Sequence, residues 1–231
     1  MHKEGSRISI FTGHFGSGKT EVAINYSIKL AKQNKKACIV DLDIVNPYFS
    51  VRESREYLEG LGIKVISPTI GITTAELSTV PTDVYLAFNE KSYEVVLDVG
   101  GDDIGAIALG QFNELFRQES YDMYFVINTN RPQTKDASSI VEYIKSIEKS
   151  SRLNVTYLIN NTNLSYDTDI SHIYKGQNII KEVAESLNIP IRYTSIRKDL
   201  AQSLNVENLL DLSEIFELDI FMQPIWLNKG V

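Results

Sequence analysis

Residues 7–20 read RISIFTGHFGSGKT. The first seven form a short apolar run, RISIFTG, which reads as a strand. Beyond it Ala23, Ser27, Leu30 and Ala31 recur at helical spacing. Between strand and helix stands GHFGSGKT, which fits G-x-x-x-x-G-K-[ST] with Gly13, Gly18, Lys19 and Thr20 in the fixed positions. Average composition yields such a match in roughly one chain of this length in a hundred, and the flanking strand and helix reduce that further. The glycines let the backbone curl so that several N–H groups point inward at the positive end of the helix. A turn that merely caps a helix has no use for a lysine and a threonine after its last glycine. Residues Gly13, His14, Phe15, Gly16, Ser17, Gly18, Lys19, Thr20 and Glu21 are therefore expected to surround nucleotide phosphates. Lys19 would face the β and γ phosphates, and the Thr20 hydroxyl would face a magnesium ion.

The remainder repeats the strand-then-helix alternation. Further strands are expected at KACIVDLD (36–43), IKVISP (63–68), YEVVLDVG (93–100), DMYFVIN (122–128), NVTYLIN (154–160) and IPIRYTS (189–195). Their apolar runs are continuous, as for strands covered on both faces. This predicts an α/β chain: one domain over 1–231, a mostly parallel sheet of about seven strands and helices on both faces, the three-layer P-loop NTPase fold. The stretch from Leu209 to Val231 is expected to combine a short helix-like segment with an apolar tail broken by Pro224, packing on the body or on a second subunit.

Ligands of open α/β sheets sit at the carboxyl edge, so acidic residues at strand ends are the natural partners for magnesium. The fourth strand ends LDVGG, where Asp98 follows an apolar run and Gly101 completes a D-x-x-G spacing that places a backbone N–H near the γ phosphate. The second ends VDLDIVNP, with Asp41 and Asp43 on the same side of the strand. Strand-end aspartates are often turn formers, but here they accompany a phosphate loop. Asp102 and Asp103 read more simply: one of them caps the helix that begins near Ile104.

These three motifs, GHFGSGKT, VDLDIVNP and LDVGG, resemble in order and spacing those of the MinD/ParA/Mrp group of ATPases. That group lies within the SIMIBI-class CobQ/CobB/MinD/ParA nucleotide-binding domains, relatives of the nitrogenase iron protein. The resemblance implies an ATP-dependent homodimer that switches binding of a protein partner. It implies Asp43 as the residue activating the attacking water, with Thr20, Asp98 and Asp41 on the magnesium side. It also makes Asn160, at the end of the sixth strand, a contact to adenine. One departure is specific: where the family carries a signature lysine after the first glycine, this chain has His14, and Phe15 stands where a glycine is usual. His14 either faces solvent or donates a shorter, partly charged hydrogen bond.

The nucleotide reading favours ATP. In LINNTNL, Asn161 and Asn163 occupy the lysine and aspartate positions of the guanine-reading N-K-x-D element, and an Asn amide cannot supply both acceptors that guanine needs. The function expected is a magnesium-dependent ATPase of the MinD/ParA type with slow hydrolysis. The alternative is a kinase or ligase of the dethiobiotin synthetase, cobyrinate amidase or polynucleotide kinase kind. There Arg52 and Arg55 in SVRESRE would face an anionic substrate; the competing reading makes them a solvated helix start.

Composition bounds the rest. A net charge of -7 without a lysine/arginine block gives no strong nucleic-acid signal. No apolar run approaches the roughly 18 residues of a membrane span, and the polar start is unlike a signal peptide, so a cytoplasmic location is expected. The acidic C-terminal stretch, with Asp211, Glu214, Glu217 and Asp219 against Lys229, does not suit membrane attachment. The single cysteine, Cys38, lies in an apolar run, which suits a buried thiol and excludes a disulfide or iron–sulfur cluster within one chain.

Overall fold

The structure is a computed structural model, and it describes residues 5–43, 50–67, 83–203 and 212–222. Among these residues eight strands form one sheet: β1 (Ile8–Thr12), β2 (Lys36–Leu42), β3 (Lys64–Ile66), β4 (Tyr93–Val99), β5 (Tyr121–Ile127), β6 (Tyr157–Asn160), β7 (Ile191–Arg197) and β8 (Glu214–Leu218). Their order is β3-β2-β4-β1-β5-β6-β7-β8 and every pairing is parallel. Seven correspond to the strands expected from sequence. The eighth corrects the expectation of a helix-like segment: Phe216 and Leu218 point into the core while Glu217 is exposed, an alternation of period two. The segment after Pro224 lies outside the described residues, as do Asn46 and Pro47 of the VDLDIVNP motif.

The alternation of strand side chains sorts the core into two layers. On one side Ile8, Ile10, Val40, Leu97 and Phe125 meet five helices: α3 (Asp83–Asn89), α4 (Asp103–Gly110), α5 (Asn113–Gln118), α6 (Ala137–Ser151) and α7 (Ile170–Leu187). On the other, Phe11, Ile39, Val96 and Tyr124 meet α1 (Lys19–Lys32) and α2 (Arg55–Gly60). A short helix, α8 (Lys198–Ser203), follows β7. Ile140, Ile144 and Ile147 are the buried stripe of α6, each side chain contributing about 1.5–3 kcal/mol by leaving water. Tyr124 stacks on Phe11 and on Tyr157, carrying the second layer along the sheet.

Side-chain caps set where the helices begin. Asp102 accepts from the Gly105 N–H at 2.8 Å and starts α4, as one of the two aspartates was expected to do. Asp136 and Asp169 cap α6 and α7 in the same way. On the far side of the sheet, Arg7 donates to the Tyr93 carbonyl at 2.7 Å, the Phe88 carbonyl at 3.0 Å and both oxygens of Glu119. One guanidinium thereby ties α3, β4 and the end of α5 together.

This arrangement positions the site. Asp41 and Asp98 are register partners across β2 and β4, and β1, beside β4, leads into α1. Because side chains alternate, Asp41 and Asp98 fall on the α1 side, at the carboxyl edge where the glycine-rich loop turns.

Candidate functional site

The loop between β1 and α1 depends on glycine where it touches its neighbours. Gly18 has φ +83°, and a Cβ there would lie 2.3 Å from Asn161 Nδ2. That same amide donates to the Ser17 carbonyl at 2.7 Å, and Arg131 Nε donates to the Gly16 carbonyl at 3.0 Å. Two side chains from the ends of β5 and β6 thus brace the loop. Gly101 approaches from the other flank: a Cβ on it would fall 1.8 Å from the Gly13 carbonyl oxygen. Tyr143 holds that position, donating its hydroxyl to the Gly101 carbonyl and meeting the His14 ring edge-on at 5.1 Å. His14 Nδ1 donates to the Phe15 carbonyl at 2.8 Å, and Phe15 is 70% exposed.

At the foot of the loop a cation meets three carboxylates. Lys19 Nζ donates to Asp43 Oδ2 at 2.6 Å, and Thr20 Oγ1 donates to Asp98 Oδ2 at 2.7 Å. Asp41 Oδ1 accepts from the Asp43 N–H at 3.1 Å, while its Oδ2 stands 3.6 Å from Arg52 Nε. Burial pushes the Asp41 carboxyl up to about 7, with the Asp98 charge adding to it. Asp98 moves in the same direction for the same first reason, partly offset by Lys19. For Lys19 burial pulls downward, but the attraction of Asp98, Asp43 and Asp41 outweighs it and its pKa ends above the ordinary value.

The donor set fits a hard divalent cation. Among the described residues, Asp41 Oδ2 and Asp98 Oδ1 are buried without a hydrogen-bond partner, and so is Ser17 Oγ inside the loop. Such orphaned acceptors are costly unless something else satisfies them. Magnesium takes one or two protein oxygens and completes its shell with water and phosphate oxygens, which matches a hydroxyl and a carboxylate beside a phosphate loop. Among the described residues no group of three or more His, Cys, Asp or Glu forms a self-sufficient metal cage.

Beyond the loop opens a cleft of about 610 Å³, within the range of nucleotide-sized sites. Its polar end is formed by Gly18, Lys19, Thr20, Arg131 and Asn161, and its apolar wall by Ile173, Ile196, Leu218, Ile220 and Met222. The structure brings residues 13–20, Asp41, Asp43, Asp98 and Gly101 together as the sequence suggested. Asn160 falls elsewhere, and Glu21, although it borders the cleft, is engaged by other groups. Asn160 is fully buried, its amide donating to the Ile173 carbonyl and Gln177 Oε1 and its Oδ1 accepting from the Thr162 N–H, so it supports α7 and does not reach the cleft. Glu21 spends both carboxylate oxygens on the Phe221 and Met222 N–H groups, and burial pushes it up to about 7. Arg55 donates to the Val65 carbonyl and Ser67 Oγ, a structural role, whereas Arg52 faces Asp41.

Sequence reasoning missed Arg131, Tyr143 and the wall following β8. Arg131 precedes Pro132 at a strand end, a position that marks a turn but carries no phosphate-loop signature. Tyr143 sits among the apolar positions of α6 and reads as core.

No curated protein matches this chain. Solved structures do. The cell division protein FtsY of Thermotoga maritima superimposes with a TM-score of 0.59 at 16% identity, over 84% of this chain and 63% of its own. FtsY of Mycoplasma mycoides gives 0.54 at 16%, over 83% and 61%. This chain therefore spans about three fifths of those FtsY chains. A nucleotide-binding protein of Archaeoglobus fulgidus in complex with ADP gives 0.50 at 17%, over 86% and 84%. At these identities the likeness is one of fold. The model of the CobQ/CobB/MinD/ParA nucleotide-binding domain matches residues 8–199, from the first strand to the start of the helix after the seventh, with the phosphate loop and all three aspartates inside it. The chain belongs to the CobQ/CobB/MinD/ParA nucleotide-binding domain family.

Proposed function

We propose that this protein is a magnesium-dependent ATPase that binds ATP at residues 13–20, hydrolyses it slowly, and uses the bound state to switch its own dimerisation or the binding of a protein partner. The observation that supports it most is the Lys19–Asp43 contact at 2.6 Å beside the Thr20–Asp98 contact at 2.7 Å. Together they put a cation, a hydroxyl and two carboxylates at the foot of a glycine-rich loop.

In this reading the loop N–H groups and Lys19 take the phosphate oxygens. Lys19 then exchanges its bond to Asp43 for one to the β and γ phosphates, because a phosphate carries more charge than the single carboxylate it replaces. Asp43 then accepts a hydrogen bond from the attacking water and orients it. Thr20 and Asp98 would hold a magnesium ion, with Asp41 supporting the same position; such an ion would supply charge neutralisation for the transferred phosphoryl group. Gly101 offers its N–H to the γ phosphate. With His14 in place of the signature lysine, less charge reaches the transition state from across a dimer, so turnover is slow. ATP is preferred over GTP because Asn163 lacks the acceptor pair of an aspartate.

Asp43→Ala tests the assignment. It should bind ATP with magnesium but hydrolyse it about 10²-fold more slowly, and light scattering with ATP should show it held as a dimer. Hydrolysis at the wild-type rate removes Asp43 from the chemistry. A monomer at saturating ATP favours the kinase alternative, in which one subunit holds the whole site.

A further inference from the structure

Glu21 is buried and immediately follows Thr20, and its carboxylate is engaged by the chain that leaves β8. Its two oxygens accept from two consecutive backbone N–H groups, Phe221 at 2.6 Å and Met222 at 3.0 Å. One turn along α1, Asn25 exchanges a pair of bonds with Asp219: Nδ2 donates to the Asp219 carbonyl at 2.9 Å, and Oδ1 accepts from the Asp219 N–H at 2.9 Å. The chain leaving β8 is thus held by four hydrogen bonds to two side chains of the helix that begins in the phosphate loop.

That clip fixes which way the segment faces. Alternation along it sends Phe221 to the ring of Tyr57, 5.4 Å between centroids, while Ile220 and Met222, with Leu218, line the cleft. The same cleft reaches Gly18, Lys19 and Thr20 at its polar end. A ligand with phosphates on the loop and a flat, largely apolar body matches both ends of the cleft.

We infer that Asp219–Met222 is the wall against which the nucleoside base packs, and that Glu21 and Asn25 are positioning residues which lock this wall to the phosphate loop. The inference rests on the phosphate-loop reading above. A carboxylate is required at position 21 because two adjacent N–H donors need two acceptors; glutamine offers one acceptor and turns a donor toward the second N–H.

The test compares magnesium-ATP with inorganic magnesium tripolyphosphate, which has the phosphates and no base, in titration calorimetry. The variants are Glu21→Gln and Met222→Asp, the second removing apolar surface from the cleft without touching the clip. Each should weaken ATP binding about tenfold or more, the scale of losing one buried apolar contact, and leave tripolyphosphate binding unchanged. A merely structural role for Glu21 would move both ligands together, and that result overturns the inference. So does unchanged ATP affinity in Met222→Asp, or a wild-type protein that binds tripolyphosphate as tightly as ATP. Wild-type protein that binds neither ligand overturns the phosphate-loop reading itself.

Discussion

Asp41→Asn should make the nucleotide-free protein more stable and its magnesium site weaker. The Asp41 side chain is fully buried, and burial, followed by the Asp98 charge, lifts its carboxyl from an ordinary 3.8 to about 7. A group that holds its proton more tightly when folded adds stability below its unfolded pKa and loses it as pH rises through the folded value. For Asp41 that window runs from about pH 4 to about pH 7. At about 1.4 kcal/mol per pKa unit, the gap corresponds to about 4 kcal/mol above pH 7. Asp98 shares the protonation with Asp41, so the single substitution should recover roughly 2–4 kcal/mol. Asparagine keeps the oxygen that accepts from the Asp43 N–H and lacks the charge. Urea unfolding of both proteins from pH 4 to pH 8 measures the difference. Glu21, also raised to about 7, contributes its own slope to both proteins, so the reading is the difference between them. An Asp41→Asn protein less stable than wild type at pH 8, or one whose difference from wild type is flat across that window, would refute the reasoning.

Three further outcomes are expected. Glu119 lies well below its ordinary 4.5, at about 2, chiefly through its hydrogen bond from Arg7, so its contribution is present above about pH 4.5 and lost as pH falls toward 2. Glu119→Gln should cost about 2 kcal/mol at pH 7 and nothing near pH 2, read as a shift in urea midpoint. Gly101→Ala would place a methyl group 1.8 Å from the Gly13 carbonyl, a backbone clash that can be relieved only by parting the two segments. It should cost about 1–3 kcal/mol by thermal melting and lower nucleotide affinity; an unchanged protein would mean that the two segments do not stay in contact. His14→Lys should raise ATP turnover if two subunits meet across the nucleotide, and an unchanged rate in a protein shown to dimerise would exclude that arrangement.

Much of the fold was legible because parallel, doubly covered strands write themselves as continuous apolar runs, and because RISIFTGHFGSGKT needs a strand, a turn and a helix in that order. The carboxylates were legible for the same reason: Asp41 and Asp98 end such runs, and the register then places them side by side. Strand β8 was hidden because EIFEL is half apolar and lies at the sheet edge, where period two and period 3.6 are hard to tell apart over five residues. Asn160 misled because a strand-end asparagine serves equally to read a base or to satisfy buried backbone, and here the Ile173 carbonyl and Gln177 claim it. Arg131 and Glu21 act through backbone groups that are more than 100 residues distant in sequence, and no local pattern encodes such a partner.

The central claim is that the loop ending in Lys19 binds nucleotide phosphates. Titration calorimetry of wild type and Lys19→Ala with ATP and magnesium tests it most directly. Because Lys19 also pairs with Asp43 in a buried site, a thermal melt of each protein accompanies the titration. The account expects saturable binding by wild type and none measurable by a folded Lys19→Ala protein. Equal affinity in the two proteins, or no binding of ATP or GTP by wild type, would contradict it.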